Sequence, residues 1–439
     1  MVLFTTQEPR EHVFGESWPK DSFDFYHSVQ LYIHLILKPG HLKFTKMSKK
    51  LEEELKERLH LKKLSRRGAD LSSCNASGFC YEIDNENTIF VKVNSSIHAR
   101  TMFEGEFESL KQMNATRTIK VPKPIHVMHN YVDSGKSAIV MDFLDIKHLS
   151  ATCASELGES LANLHNYNNK VIKYNEKAST WIGHKQPSSR RLLERRGEEE
   201  EEETKDDNED IVDETESMGG AFQKHGMRFK GEMGTEARRS ANNTDEYPSK
   251  FIPEPGTQQV DSFGFDIPTS CGQIPQPNEW TDEWVPFFAR HRLDSYIRMI
   301  LSDHSDRDLN EQWSNLQLKV DKFFTDFSNK GEDKIVPALL HGDLWSGNAA
   351  EFADGSGAVV YDPASFYGHS EYDFGIARMF GGFPGEFERS YFEVLPKKKM
   401  FEKRNKLYQL FHHLNHWAHF GKGYRASSLR LIKDLNASV

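Results

Sequence analysis

The stretch Leu340-His341-Gly342-Asp343-Leu344-Trp345-Ser346-Gly347-Asn348, followed at residues 359–363 by Val-Val-Tyr-Asp-Pro, decides how the rest of the sequence reads. Moving a phosphoryl group demands little covalent chemistry from a protein. It needs a group to receive the acceptor hydroxyl's proton, and oxygen ligands for the cation that neutralises the phosphates. An Asp with an Asn five residues later meets that need, and Asp343 and Asn348 have this spacing. A second acidic ligand is expected behind a hydrophobic strand, and Asp362 stands directly after Ala358-Val359-Val360-Tyr361. Asp and Asn supply the hard oxygens that suit Mg²⁺. Singly, each residue has an ordinary explanation, the Asp as a helix cap or the Asn as a turn former. Order and spacing together favour Asp343 as catalytic base, with Asn348 and Asp362 as metal ligands.

Working outward, such a site needs a cation on the nucleotide phosphates and a carboxylate to hold that cation. Residues 79–93 alternate as a hairpin around a polar turn, placing Lys92 of Phe90-Val91-Lys92-Val93 on a strand. Residues 98–113 read as a helix with Met102, Phe103, Phe107 and Leu110 on one face, and Glu104 and Glu106 on it are both candidate partners. The loop from Ser72 to Gly78 precedes the hairpin and offers Ser73, Cys74 and Gly78 to the phosphates, although it is neither a Walker A loop nor a GxGxxG. VPKPIHVM and SAIVMDFL read as two further strands, and Asp142-Phe143-Leu144 as the linker whose backbone meets adenine.

After Leu144 the apolar period becomes helical. Three stripes read as core: Leu157, Leu161 and Leu164; Trp313 to Phe327; and Leu407, Leu410, Phe411, Leu414 and Trp417. The fold class is α+β, with a small antiparallel-sheet lobe carrying one helix (47–144) and a larger, mainly helical lobe (145–439). Residues 1–46 show no sustained period and read as a poorly ordered extension. Residues 186–258 are polar and charged, and read as a disordered acidic insertion. Within it, residues 198–216 hold 13 acidic residues against one lysine, so the formal charge of −10 becomes +2 without that stretch. No dense basic stripe remains to bind nucleic acid. The four cysteines lack zinc-site spacing. The apolar run 29–37 falls short of the ~20 residues a bilayer span needs, and no basic segment precedes it, which points to a cytoplasmic protein without a membrane anchor. On the acceptor side Trp345 is the flat surface for a substrate, with His416 and Trp417 behind it, core packing being the equal alternative for Trp417.

HGDLWSGN (341–348), YDPASFYGHSEYDFGIARMFGGF (361–383) and FEKRNKLYQLFHHLNHWAHFGKGYR (401–425) resemble the fructosamine/ketosamine-3-kinase family, as do FVKVN, ARTMFEGE, VPKPI and FGFDIPTSCGQIPQPNEW. The resemblance covers about residues 48–180 and 260–435, and VPKPI with FEKR…LYQLFHHLNHW is nearer the ketosamine-3-kinase branch. It implies a protein-kinase-like two-lobed fold similar to aminoglycoside and choline kinases. It also implies ATP and Mg²⁺, and phosphorylation of the 3-hydroxyl of ketosamines (ribulosamine, psicosamine or fructosamine), free or on glycated proteins. Loss of the unstable phosphate then restores the amine, a repair activity. The EFESL register resembles the matching helix of small-molecule kinases and favours Glu106 over Glu104 as partner of Lys92. Two departures stand out: Gly78 is the only glycine in the phosphate loop, and the insertion is long. Two other readings stay open at this stage, an aminoglycoside- or choline-type kinase and a catalytically inactive kinase-like binding module. The chain is expected to be a monomer or a Cys74-linked dimer.

Overall fold

A computed structural model of the chain describes residues 49–72, 76–129, 136–185, 251–328, 331 and 333–439. Five strands form the first sheet: β1 (Leu64–Ser72), β2 (Ser77–Ile83), β3 (Thr88–Asn94), β4 (Pro124–His129) and β5 (Ser137–Asp142). They pair antiparallel in the order β1-β2-β3-β5-β4. Strand alternation decides which side each residue takes. In β3, Ile89 and Val91 turn to the face covered by α1 (Lys49–Arg58), packing with Leu51, Leu55, Phe79 and Tyr81. Phe90 and Lys92 turn the other way, toward α2 (Ala99–Thr116), whose Met102, Phe103 and Leu110 cover Ile139 and Met141. The period of the strand, rather than any preference of lysine, aims Lys92 at α2.

The sequence pattern does not announce β1, because Arg66 and Arg67 interrupt any apolar alternation, as an edge strand permits. The segment expected to cover the phosphates therefore joins two paired strands. Gly78 lies in β2 opposite Lys92 rather than in the loop, and Ser73 and Cys74 lie outside the described residues.

Beyond β5 the chain is mainly helical: α3 (Ala151–Lys185), α4 (Trp284–Phe287), a π-helical turn (Phe288–Asp294), α5 (Ser295–His304), α6 (Arg307–Leu316), α7 (Asp373–Phe380), α8 (Gly385–Val394), α9 (Phe401–Phe420) and α10 (Arg425–Ser438). Leu157, Leu161 and Leu164 share one core with Trp284, Phe323, Leu407, Leu410 and Leu414. The stripe from Trp313 to Phe327 predicts a single helix. Instead α6 passes at Leu316 into a 3₁₀ helix, Gln317–Phe324, whose Val320, Phe323 and Phe324 still reach the core. Short strands hold the loops between helices: β6 (Ile146–Lys147), β7 (Thr269–Cys271), β8 (Ile274–Gln276), β9 (Ala338–Leu339), β10 (Ala349–Phe352), β11 (Ala358–Val360) and β12 (Tyr367–Gly368). They pair as β11-β10-β6, β12-β9 and β7-β8.

By its internal contacts the chain divides into two units. One holds residues up to Ile172 and from Glu254 onward; the other is Lys173–Pro253, described at the last turns of α3 and at Phe251–Pro253. Residues 1–46 and most of the expected insertion lie outside the described residues. The end expected for that insertion, residue 258, is too late. Glu254 pairs with Arg117 at 3.0 Å, and the Thr257 hydroxyl lies 3.4 Å from that of Tyr167. No helix among the described residues is long and apolar enough to cross a membrane.

Candidate active site

Two pairing registers gather the residues singled out by spacing. Ala349 of β10 lies opposite Val360 of β11, so Asn348 and Asp362 leave the same end of that hairpin. The Tyr361 N–H donates to the Asn348 carbonyl at 3.1 Å. Leu339 of β9 lies opposite Tyr367 of β12, which brings loop 340–348 alongside residues 361–366. There the Ala364 N–H donates to the His341 carbonyl at 2.8 Å, and the Leu340 N–H to that of Phe366 at 3.1 Å. The two segments pass so closely at Gly342, φ +85°, that a Cβ would overlap the Ala364 carbonyl oxygen.

The Asn348 amide nitrogen donates to the Asp343 carbonyl at 2.8 Å and stands 3.5 Å from its Oδ2. With that nitrogen engaged, Asn348 presents Oδ1 as an oxygen ligand. The Cys271 thiol donates to Asp343 Oδ1 at 3.5 Å. Burial, joined by the charges of Asp362 and Asp373, pushes the Asp343 carboxyl up to about 7, while Cys271 and Asn348 pull the other way. A carboxylate near neutrality suits proton transfer at working pH.

Asp362 adopts φ +59°, a left-handed conformation uncommon outside glycine. Its carboxylate accepts from Lys92 Nζ, which also donates to Glu106 Oε1 at 2.5 Å. Against the downward pull of burial, the charges of Asp362 and Glu106 hold Lys92 above the ordinary lysine range. Burial raises the Glu106 carboxyl; burial also acts upward on Asp362, but there the Lys92 charge prevails and holds it low. The choice between two glutamates is thereby resolved, since Glu104 pairs with Arg100 and His129, each at 3.0 Å. Asn348 and Asp362 offer amide and carboxylate oxygens from one hairpin end, the donor chemistry Mg²⁺ prefers. At the other edge, the Asp142 N–H donates to the Lys123 carbonyl and the Phe143 N–H to that of Thr88. Leu144 packs on Ala350, Val359 and Tyr361, tying the linker to the β10–β11 hairpin.

The sequence model of the fructosamine kinase family matches residues 43–190 and 254–438. The chain belongs to the fructosamine kinase family. A mouse protein named ketosamine-3-kinase is 40% identical over 386 residues, which is 88% of this chain and all of that relative. A rice (Oryza sativa subsp. indica) protein-ribulosamine 3-kinase named as chloroplastic is 31% identical over 82% of this chain and 76% of its own length. Crystal structures of candidate fructosamine-3-kinases from Haemophilus somnus and Thermobifida fusca share the fold, with TM-scores of 0.58 and 0.54. They are 19% and 20% identical, cover 89% and 86% of this chain, and are themselves covered over 98% and 94% of their length. The fold is the protein-kinase-like one, with an antiparallel-sheet lobe and a helical lobe.

In this fructosamine kinase fold the acceptor-side residues separate. Trp345 rests on Phe380 with ring centroids 5.9 Å apart, and Phe380 meets His416 edge-on at 5.3 Å, so His416 joins Trp345 through one intervening ring. Trp417 is 0% exposed within the helical core and is not a substrate residue, because one position along α9 turns it inward. Two residues in the family strings acquire tasks that their spacing does not signal. Asp373, wholly buried, accepts the N–H groups of His341 and Gly342 at 2.8 Å each and lies 3.1 Å from His165 Nε2. It fixes the loop that carries Asp343. Burial acts upward on its carboxyl, but the bond and charge of His165 hold it below the usual range. Cys271 is the other, through its contact with Asp343.

Proposed function

We propose that this chain transfers the terminal phosphate of ATP to the 3-hydroxyl of a ketosamine (ribulosamine, psicosamine or fructosamine), free or carried on a glycated protein. The observation that carries the reading is the convergence of Asp343, Asn348, Asp362, Lys92 and Glu106 in a family member whose mouse relative, matched over its full length, is named for that reaction. Asp343 Oδ2 receives the proton of the attacking hydroxyl. Lys92, oriented by Glu106, faces the nucleotide phosphates, and the linker 142–144 meets adenine. Asn348 and Asp362 would hold Mg²⁺, which supplies charge neutralisation on the phosphates. Trp345 gives the sugar a flat apolar face with a polar edge, and His416 lies one ring behind it. The phosphate, on the carbon beside the carbonyl, is then lost by elimination as C1 gives up a proton, and water hydrolyses the remaining C1–N linkage, so the amine is restored and the protein deglycated.

ATP consumption measured across ribulosamine, psicosamine and fructosamine acceptors tests the substrate class, with turnover expected on at least one and none on choline or aminoglycosides. Asp343→Asn should lower turnover by about 10³-fold with nucleotide binding retained, the loss expected of a missing general base acting with its positioned partners. Wild-type turnover in that variant would remove Asp343 from the mechanism.

A further inference from the structure

The hairpin formed by β7 and β8, which ends its first strand at Cys271, is wedged between α2 and α9 beside the catalytic loop. On the α2 side it abuts Gly105, next to Glu106, where a Cβ would stand 2.7 Å from the Pro268 carbonyl oxygen. On the α9 side two residues one turn apart grip its tip. His419 Nδ1 bonds the Asn415 carbonyl at 2.8 Å, which leaves Nε2 to accept the Gln273 N–H at 2.9 Å. Gly272 at the turn, φ +81°, lies so close that a Cβ would be 2.7 Å from that same Nε2. The Asn415 side chain donates to Cys271 Sγ at 3.3 Å. Because this amide uses the sulfur as acceptor, the thiol proton is left for Asp343 Oδ1, 3.5 Å away. Cys271 is 2% exposed, so it is a fixed donor rather than a reactive thiol.

We infer that Cys271 is a positioning residue for phosphoryl transfer: its thiol, held by Asn415 and by the His419-gripped turn, pins one oxygen of Asp343 and so directs the other at the acceptor hydroxyl. The inference rests on the reading of Asp343 as the base. A carboxylate pinned at one oxygen loses its side-chain rotation, and misplacing a reacting group by about 1 Å costs on the order of 10²-fold in rate. A weak S–H donor accounts for part of that.

The test uses the full chain with ATP and whichever ketosamine it turns over. Cys271→Ala should lower kcat about tenfold and leave the KM for ATP within about twofold of wild type. Cys271→Ser, which keeps a donor, should restore kcat to within about threefold. The infrared S–H stretch gives an independent readout: subtracting the Cys271→Ser spectrum isolates this band among four cysteines. Asp343→Ala should move the band to higher wavenumber as its acceptor is lost. Wild-type kcat in Cys271→Ala, a loss that serine does not repair, or a band indifferent to Asp343→Ala would each overturn the inference. Should Cys271→Ala fail to fold, the infrared comparison still decides. Full turnover in Asp343→Asn would instead fail the base reading itself; an inactive Asp343→Asn beside an unimpaired Cys271→Ala fails only the role of Cys271.

Discussion

Lys92 stands between two carboxylates of unequal fate, Glu106 held protonation-prone by burial and Asp362 held ionised by Lys92 itself. Replacing Lys92 by methionine removes the charge that offsets both. Glu106 can then relieve its burial by taking a proton, so the fold should survive while the nucleotide phosphates lose their cation. Turnover in Lys92→Met should fall at least ~100-fold, with several kcal/mol of transition-state stabilisation gone, and the melting temperature should shift by only a few degrees. Steady-state kinetics beside a thermal scan check both halves; a collapse of the fold would mean the ion pair is structural first. Gly342 makes a sharper residue-scale case. Gly342→Ala meets both a left-handed φ and the Ala364 carbonyl, whereas Gly355→Ala meets φ +76° with nothing within 4 Å. Denaturant titration should give about 1 kcal/mol for the second and a larger loss, roughly 3 kcal/mol or more, for the first. Equal losses would deny the close approach that aligns the catalytic loop. At this scale the spacing in the sequence foretold which residues come together, as at Asp343, Asn348 and Asp362. It was silent on Asp373 and Cys271, because an Asp at a helix start looks like any first-turn acid and its hydrogen-bond partners lie 31 and 32 residues away.

Among the elements, α9 combines a core stripe with His412, His413, His416 and His419 on one helix. Burial lowers all four: to about 4 for His413 and His416, well below the ordinary value for His412, and below it for His419. In the unfolded chain they titrate near 6.5, so between pH ~4 and ~6.5 the unfolded state binds more protons. Stability therefore rises with pH across that window, is fully present above it, and is lost on acidification, at up to about 1.4 kcal/mol per pH unit for each such histidine. His413→Gln should flatten the pH dependence of unfolding free energy between pH 4 and 6.5. A slope as steep as that of the wild type would mean that His413 is not held neutral. The periodicity of α9, of α2 and of the β2–β3 hairpin could be read directly, since each buries one regular face. β1 could not, being an arginine-bearing edge strand, and neither could the change from α6 to a 3₁₀ helix, which leaves the apolar spacing nearly intact.

For the molecule as a whole, the expected turn to helical spacing after Leu144 falls between the last strand of the five-stranded sheet, ending at Asp142, and α3, starting at Ala151. What the pattern could not place were the long-range contacts by which β7–β8 and Asp373 brace the catalytic loop, since neither leaves a local trace. The family match omits residues 191–253, and the most acidic stretch of the chain, 198–216, falls inside that gap. Chemistry assigned to residues on both sides of the gap should not depend on it. A chain lacking residues 191–249 should turn over a free ketosamine within about twofold of the full chain, because no proposed site residue is removed and the reaction is local. Charge should matter for large substrates. Deleting 191–249 removes 18 acidic and nine basic residues, a net charge of −9, and with it repulsion felt by an acidic glycated protein at distances up to the Debye length, ~10 Å at 0.1 M salt and ~30 Å at 0.01 M. The shortened chain should therefore gain in kcat/KM on an acidic glycated protein at low ionic strength and lose that gain at high salt, while free ketosamine shows no salt-dependent difference. If the small substrate suffers as much as the large one, the segment supports the catalytic unit itself and its omission from the family pattern has misled.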